Sequence, residues 1–290
     1  YSFAPNAAWS RVFAGQAEIK RYLQDTAERQ GVLPYVRFQH EALKAYWSDA
    51  ESCWIIETNQ GEFRARFAIM ACGPMHEPVL PKVQGLDSFE GEIFHSSRWR
   101  HDIDLRGKRV AVIGTGASAI QFVPEIQPLV KHLSVFQRTP HWVLPKMDQT
   151  LPPLVQRLFK HLPLAQLAVR GAVFGIFETL NGGMQNIAAM KQFQRLALFN
   201  LRRTVKDPEL RQRLTPNYVI GCKRVLQSNQ WYPALVQKNV DVISSALAEV
   251  RGKTLIAADG SEHEVDVIIL GTGFEVAEPP IAKRVFNRYG

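Results

Sequence analysis

The residue pattern with the clearest chemistry is a glycine turn, Gly114-Thr115-Gly116-Ala117-Ser118-Ala119. The Gly-x-Gly-x-x-Ala spacing is typical of turns that hold the pyrophosphate of a dinucleotide. Gly114 suits the tight turn, Gly116 lets backbone N–H groups approach the phosphates, and Ala119 lets the following helix pack closely. Free N–H groups and the dipole at that helix N-terminus favour an anion. The alternative is a chance glycine turn, and the flanking elements decide between the two.

The elements around the turn are those that a dinucleotide site needs. Residues 108–113 form an apolar, β-branched run that predicts a strand. In the helical pattern that follows, Ile120, Val123 and Ile126 share one face. Residues 132–136 predict the second strand of a βαβ unit. The candidate cofactor contacts of this unit are Gly114, Thr115, Gly116, Ser118, Ala119 and Gln121.

The second strand ends in Gln137-Arg138-Thr139, where sites that prefer NAD place Asp or Glu for the ribose 2′-hydroxyl. A guanidinium binds phosphate bidentately and keeps its charge. Arg138 and Thr139 therefore predict a site for the 2′-phosphate of NADPH. The alternative is a solvated arginine that happens to follow a strand.

Composition excludes several classes of protein. The chain has 290 residues, 46% of them hydrophobic, which predicts a globular protein of more than one domain. The formal charge of +8 comes from scattered residues, so we expect no nucleic-acid partner. The three cysteines form no C-x-x-C pair, which predicts no disulfide framework and no metal site.

No apolar run is long enough for a membrane span, and no signal peptide is evident, so we expect a cytoplasmic protein. The longest apolar stretch, residues 164–177, contains Gln166 and Arg170 and predicts a buried helix. Ile19 and Leu23 predict the buried face of an earlier helix. A helical pattern also covers residues 150–215.

Two apolar strands that end in small residues bracket the nucleotide unit. Residues 67–73 form the first, and residues 265–270, followed by Gly271-Thr272-Gly273, form the second. This arrangement predicts one domain interrupted by another, and the alternative is two unrelated strand ends.

Upstream of the glycine turn, Phe89, Gly91, His95 and Trp99 have the spacing F-x-G-x-x-x-H-x-x-x-W. With this fingerprint, the chain resembles the flavoprotein monooxygenases, in particular the Baeyer–Villiger type. The resemblance extends over all 290 residues. It includes Tyr-Ser-Phe at the start, Val-Phe-Gln-Arg-Thr-Pro at 135–140, Lys-Arg at 223–224 and Gly-Thr-Gly-Phe at 271–274. One departure is Arg100, which stands where the Baeyer–Villiger type has Pro or Asp and where related N- and S-oxygenating enzymes have a basic residue.

The resemblance implies an α/β fold with two dinucleotide-binding (Rossmann-like) domains, in which an NADPH domain with a helical insertion interrupts an incomplete FAD domain. No second Gly-x-Gly-x-x-Gly is present for FAD, so we expect a fragment of a longer protein. The implied boundaries are 1–86 for the partial FAD domain, 87–149 and 216–258 for the NADPH domain, 150–215 for the helical insertion and 259–290 for the return to the FAD domain.

The implied activity is that of an FAD- and NADPH-dependent monooxygenase. A peroxyflavin formed from O2 would insert one oxygen atom into a ketone and give an ester or a lactone. The peroxide and its adduct with the ketone are both anionic, so a fixed cation beside them would lower the barrier. Arg224 matches the active-site arginine of the family. Two alternatives stay open, namely a flavin enzyme that oxygenates amines or sulfides and a truncated NADPH-binding fragment without catalysis.

The resemblance also assigns further cofactor contacts and a hinge. Lys223 matches a residue that helps Arg138 and Thr139 to hold the 2′-phosphate. The Gly-Thr-Gly turn matches a motif of the family, which adds Gly271, Thr272 and Gly273 to the cofactor-binding residues. We expect Phe89, Gly91, His95 and Trp99 to have structural or hinge roles in an interdomain linker. Trp231 and Tyr232 are expected either to line the site or to belong to the core.

Overall fold

A computed structural model describes residues 1–183, 186–277, 280–287 and 289. The chain divides into two compact units. Unit 1 comprises Tyr1–Ile69, Met147–Ile187 and Arg284–Gly290, and unit 2 comprises Met70–Lys146 and Ala188–Lys283. The two units alternate along the chain.

The described residues form β-strands in both units. In chain order, the strands are β1 (Ala42–Ser48), β2 (Cys53–Thr58), β3 (Gly61–Ala65), β4 (Glu92–His95), β5 (Arg109–Ile113), β6 (His132–Phe136), β7 (Val143–Leu144), β8 (Leu226–Gln227), β9 (Val240–Ile243), β10 (Leu247–Arg251), β11 (Thr254–Ala257), β12 (Glu262–Glu264), β13 (Val267–Leu270) and β14 (Val285–Phe286).

The α-helices lie before and between these strands along the sequence. They are α1 (Gln16–Arg29), α2 (Ala119–Ile126), α3 (Pro153–His161), α4 (Pro163–Gly183), α5 (Ile187–Thr204), α6 (Pro208–Arg213) and α7 (Trp231–Leu235). The predicted helical region 150–215 thus contains α3 to α6. The boundary between unit 1 and unit 2 falls inside this region, between residues 187 and 188. The region therefore does not form a single insertion.

Unit 2 contains a five-stranded parallel sheet in the order β4-β13-β5-β6-β9. Its central strands are apolar on both faces, as expected for a parallel sheet with both faces covered. One face packs against α2, where Ile120, Val123 and Ile126 are buried as predicted. The other face packs against the antiparallel strands β10 and β11. The carboxyl ends of all five strands therefore lie along one edge.

The last strand of this sheet corrects the predicted domain boundary at 259. β13 pairs in parallel with β4 on one side and with β5 on the other, and all four of its residues are buried. A strand that is apolar on both faces needs two covered sides, and unit 2 provides them. Unit 2 accordingly continues to Lys283.

A second correction concerns residues 67–73, which were predicted as an apolar strand. They have no regular secondary structure, and Phe67 and Ile69 are 82% and 90% exposed. A strand requires a hydrogen-bonding neighbour, and none of the described strands pairs with this segment.

Unit 1 contains a four-stranded sheet in the order β14-β1-β2-β3, with α1, α3 and α4. The predicted buried face of α1 is wrong, because Ile19 and Leu23 are each 43% exposed. The helix predicted over 164–177 forms as part of α4, but its side chains are not buried, as Leu164 at 71% and Phe174 at 65% exposed illustrate. Within the described residues, no helix has both the length and the apolar character that crossing a membrane requires.

Candidate nucleotide-binding site

The glycine turn lies at the carboxyl end of β5, as the sequence predicts. Gly114 has a φ of +102°, which disfavours any residue with a side chain. A β-carbon added to Gly114 would also stand 2.6 Å from the backbone oxygen of Gly271. The Gly114 N–H donates to the carbonyl of Phe136 at 3.1 Å, which fixes the turn against the end of β6. Two independent constraints therefore require glycine at this position.

The start of α2 leaves backbone donors available beside the turn. Within the described part of the chain, the N–H groups of Thr115, Gly116, Ala117 and Ser118 have no protein acceptor. A β-carbon added to Gly116 would meet no atom within 4 Å, so the space in front of it is open. Unpaired N–H groups at a helix N-terminus form an anion site.

Three further predicted residues surround these donors. Ala119 is fully buried against the sheet, which explains the need for a small residue. Ser118 precedes α2 without forming a side-chain cap. The side-chain amide of Gln121 donates to the carbonyl of Ala117 at 2.6 Å. None of the three lines the cavity of unit 2 that opens beside the turn.

A cavity of about 650 Å³ opens in unit 2 beside the glycine turn. It brings together many of the predicted cofactor contacts. Those that line it are Gly114, Thr115, Gly116, Arg138, Thr139, Lys223, Gly271, Thr272 and Gly273. Two other lining residues with titratable side chains, Lys82 and His141, were not predicted from the sequence. The lining thus carries three cationic side chains, Lys82, Arg138 and Lys223, and its described residues include no Asp or Glu.

Hydrogen bonds between two loops position Arg138 and Lys223. The Tyr218 hydroxyl donates to the carbonyl of Pro140 at 3.1 Å, and the Trp142 indole donates to the carbonyl of Tyr218 at 2.9 Å. The Lys223 ammonium lies 4.9 Å from the centre of the Tyr218 ring, a cation–π contact. The segment after β6 and the segment before β8 therefore present their cations to one cavity.

His141 lies in the same cavity lining, near Lys223. Its Nδ1 is buried, and no described residue forms a hydrogen bond with it. Burial lowers the pKa of His141, and the neighbouring Lys223 lowers it further, so the imidazole is neutral at pH 7. No local sequence pattern identifies this residue, because the fold brings it to Lys223.

The Gly-Thr-Gly turn forms the wall of the cavity next to Gly114. The Gly271 N–H donates to the carbonyl of Ile113 at 2.8 Å, and the Val79 N–H donates to the carbonyl of Gly273 at 2.9 Å. The Thr272 hydroxyl donates to the carbonyl of Val79. The segment around Val79 thus runs beside the Gly-Thr-Gly turn at this wall.

The fingerprint residues have structural roles in unit 2. Phe89 folds over Gly91, where an added β-carbon would stand 2.4 Å from the backbone oxygen of Asp266 and 2.6 Å from the Phe89 ring. The Trp99 ring packs against those of Phe94 and Phe122, at centroid distances of 5.3 and 5.2 Å. Packing of Trp99 was expected. The expected linker is instead partly regular, because residues 92–95 form the edge strand β4.

His95 connects the fingerprint to the Gly-Thr-Gly turn. Its side chain is 4% exposed, its ring lies 5.6 Å from that of Phe274, and its Nδ1 accepts from the Ser97 N–H at 3.2 Å. Burial lowers the pKa of His95, and the nearby carbonyl of Gly273 opposes this in part. That carbonyl lies outside hydrogen-bond geometry, so Nε2 is buried without a partner among the described residues. A neutral imidazole at the end of β4 fits packing better than proton transfer.

Arg224 and the two aromatic residues after it differ in position. Arg224 is exposed and does not line the cavity. Trp231 and Tyr232 are each 3% exposed and belong to the core around α2 and α7. The open choice for these two aromatic residues is therefore resolved in favour of the core.

Known proteins resemble this chain over its whole length. A Baeyer–Villiger monooxygenase of Streptomyces coelicolor is 46% identical over 100% of the chain and 56% of its own length. A steroid monooxygenase structure with bound NADP has a TM-score of 0.86 at 28% identity, over 99% of this chain and 63% of that one. The structure of OTEMO in complex with FAD and NADP has a TM-score of 0.82 at 28% identity, over 97% and 60%.

The chain spans about half the length of the Streptomyces protein that it matches. The family described as FMO-like, flavin-binding monooxygenase-like, matches residues 5–167, which is more than half of the chain. The matches confirm the resemblance that the fingerprint predicts and the α/β fold with Rossmann-like domains. The chain belongs to the flavin-binding monooxygenase-like family.

Proposed function

We propose that this chain is the NADPH-binding part of an FAD- and NADPH-dependent Baeyer–Villiger monooxygenase. Such an enzyme inserts one atom of O2 into a ketone to give an ester or lactone, and two electrons from NADPH reduce the other atom to water. The observation that carries the proposal is the cavity in unit 2, where a dinucleotide turn meets three cations and, among the described lining residues, no carboxylate. The 46% identity to a protein named Baeyer–Villiger monooxygenase supports the choice of reaction.

The cavity fits NADPH in size and in charge. Its volume of about 650 Å³ lies within the range of cofactor sites. The N–H groups before α2 and the open space at Gly116 suit the pyrophosphate. Arg138, Thr139 and Lys223 suit the 2′-phosphate, because two cations and a hydroxyl match its charge and its acceptor oxygens.

FAD would need a second dinucleotide turn. This chain contains one turn of the Gly-x-Gly-x-x-Ala type, and that turn lines the cavity proposed for NADPH. We assign FAD to a site formed largely by sequence that the longer relatives carry. The flavin, when bound, supplies the activation of O2. The residues of unit 2 bind and orient the nicotinamide nucleotide that provides the reducing equivalents.

We assign to Arg224 the stabilisation of negative charge that develops on the substrate oxygen. It is exposed, and no described carboxylate forms an ion pair with it, so its charge is available. Arginine keeps this charge at every physiological pH. Lys223, the preceding residue, lines the cavity. Lys223 would thus bind the nucleotide, and Arg224 would act on the substrate.

Oxygenation of amines or sulfides is the second candidate, which the basic Arg100 favours. The Arg100 guanidinium donates to both carboxylate oxygens of Asp102, at 2.6 to 3.1 Å, and lies on the surface. Neither residue lines the cavity. Arg100 thus pairs with the surface carboxylates of Asp102 and, at 3.9 Å, of Glu92, away from the cavity.

Product analysis tests the proposal. The chain is incubated with FAD and NADPH, together with a cyclic ketone or a thioether, and the products are separated. A lactone from the ketone supports the proposal. A sulfoxide without lactone supports the second candidate instead. If NADPH binds while no flavin is retained and no product forms, the same substrates are tested with a protein of the relatives' length, and absence of lactone there rejects the proposal.

A further inference from the structure

A second cavity lies within unit 1, and the proposed function gives it no role. Its volume is about 540 Å³, which is again within the range of small-molecule sites. Its walls come from the N-terminal segment, from α1, and from α3 and α4. All of these residues belong to unit 1, and none of them lines the nucleotide cavity.

Aromatic residues form one wall of this cavity. The rings of Trp9 and Tyr22 lie 5.0 Å apart. The Tyr22 hydroxyl donates to the carbonyl of Ala4 at 2.7 Å, and the Gln166 amide donates to the carbonyl of Asn6 at 2.6 Å. Because these polar groups are already paired, the wall offers a ligand mainly its apolar surface.

Helix α4 contributes aliphatic residues to the lining, and these remain exposed to solvent. Leu164 is 71% exposed and Leu167 is 61% exposed. A ligand that covers them removes apolar surface from water, at about 25 cal/mol per Å². The lining comes from several segments, so the apolar part of a ligand enters a concave site and does not lie on a flat face.

The charge of the cavity defines the other end of the ligand. Its described lining residues include Arg11 and Arg170 but no Asp or Glu. Arg11 is paired with Asp148 at 3.3 Å. Arg170, in contrast, forms no ion pair with any described residue. One uncompensated guanidinium therefore stands beside an apolar site.

We propose that the cavity in unit 1 binds a small amphipathic carboxylic acid. Its apolar chain or ring packs against Trp9, Leu164 and Leu167, and its carboxylate pairs with Arg170. A free acid in solution is the occupant, because the apolar lining is concave. The proposal does not depend on the monooxygenase activity, since binding requires neither NADPH nor turnover.

Calorimetric titration with decanoate tests the role of charge, and 1-decanol serves as the neutral probe. Arg170→Met keeps an apolar side chain but removes the cation, and we expect the Kd for decanoate to rise about tenfold or more. The Kd for 1-decanol should not change. Arg157→Met is the matched control, because Arg157 is exposed on α3 and does not line the cavity. An equal effect of both variants on decanoate overturns the proposal.

Two further variants locate the bound ligand. Trp9 is the one tryptophan among the described lining residues, so Trp9→Phe should remove the change in tryptophan fluorescence on binding. Leu167→Asn should weaken decanoate and 1-decanol alike. Unchanged behaviour of both variants contradicts the proposal, as does the absence of saturable binding to the wild type. Arg170-dependent binding to anionic phospholipid vesicles, without binding of decanoate, would identify a membrane surface as the partner and reject the free acid.

Discussion

The backbone oxygen of Gly271 lies 2.6 Å from the place that a β-carbon on Gly114 would occupy. The Gly271 N–H also donates to the carbonyl of Ile113, so the ends of β5 and β13 are in direct backbone contact. The dinucleotide turn and the Gly-Thr-Gly turn are therefore one wall of one cavity, although they lie far apart in the sequence.

This contact predicts that Gly114→Ala destabilises the protein. Alanine would require the left-handed φ of +102° and would displace Gly271. We expect a loss in the free energy of unfolding of about 1–3 kcal/mol, measured by urea denaturation. NADPH binding should weaken as well, because the turn shifts.

Gly116→Ala is the matched comparison for that prediction. A β-carbon there meets no protein atom within 4 Å, so the stability of the free protein should stay near that of the wild type. NADPH binding should still weaken, because the methyl group occupies the space proposed for the pyrophosphate. Equal stability losses in both glycine variants would contradict the role of Gly271.

The 2′-phosphate assignment predicts a selective loss in Arg138→Ala. We expect the Kd for NADPH to rise about tenfold or more, since the lost hydrogen bond to a charged group contributes roughly 1.5–3 kcal/mol. The Kd for NADH, which lacks that phosphate, should hardly change. Arg106→Ala provides the control, because Arg106 is exposed and does not line the cavity. Parallel losses for NADH and NADPH would show that Arg138 binds another part of the nucleotide.

Acid should weaken unit 2 through Asp266. The Arg109 guanidinium and backbone N–H donate to its carboxylate at 2.8 and 2.9 Å and lower its pKa from 3.8 to about 2. Because the folded state has the lower pKa, this stabilisation is fully present above pH 3.8 and is lost as the pH falls towards 2. The carboxylate is partly exposed, so we expect about 1–2 kcal/mol.

Denaturation of wild type and Asp266→Asn at several pH values measures this term. The difference between the two proteins should be constant above pH 5 and should shrink between about pH 4 and 2. Asp104→Asn, which removes an exposed acid, is the control. A difference that does not depend on pH would argue against the Arg109 pairing as the cause.

Arg224→Ala should abolish oxygenated product while NADPH binding is retained, because Arg224 does not line the nucleotide cavity. Arg224→Lys keeps a cation and should recover part of the activity. The assay compares product formation and the Kd for NADPH in the same preparations of a protein that forms product. Undiminished product in Arg224→Ala would remove this residue from the reaction.

Much of unit 2 was predictable because its signals are local. The strand, glycine turn and helix at 109–126 follow one another in the sequence, and each is supported by its own apolar pattern. Arg138 was found from its place at the end of the second strand, and Lys223 through the resemblance. Lys82 and His141 were missed, because their loops carry no pattern and only the tertiary fold brings them to the cavity.

The errors concern segments whose environment is not encoded nearby. An apolar run such as residues 67–73 predicts a strand only if a neighbour pairs with it, and the described strands offer none. Leu164 and Leu167 predict burial by their type, but they line an open cavity. β13 was assigned to the wrong domain, because an apolar strand does not specify which sheet it joins.

The most direct test of the account is a titration of the wild-type chain with NADPH and, separately, with NADH. The glycine turn and the cations Arg138 and Lys223 predict saturable binding of NADPH, with a Kd about tenfold or more below that for NADH. Equal affinity for the two nucleotides, or no binding of either, would contradict the assignment of this cavity.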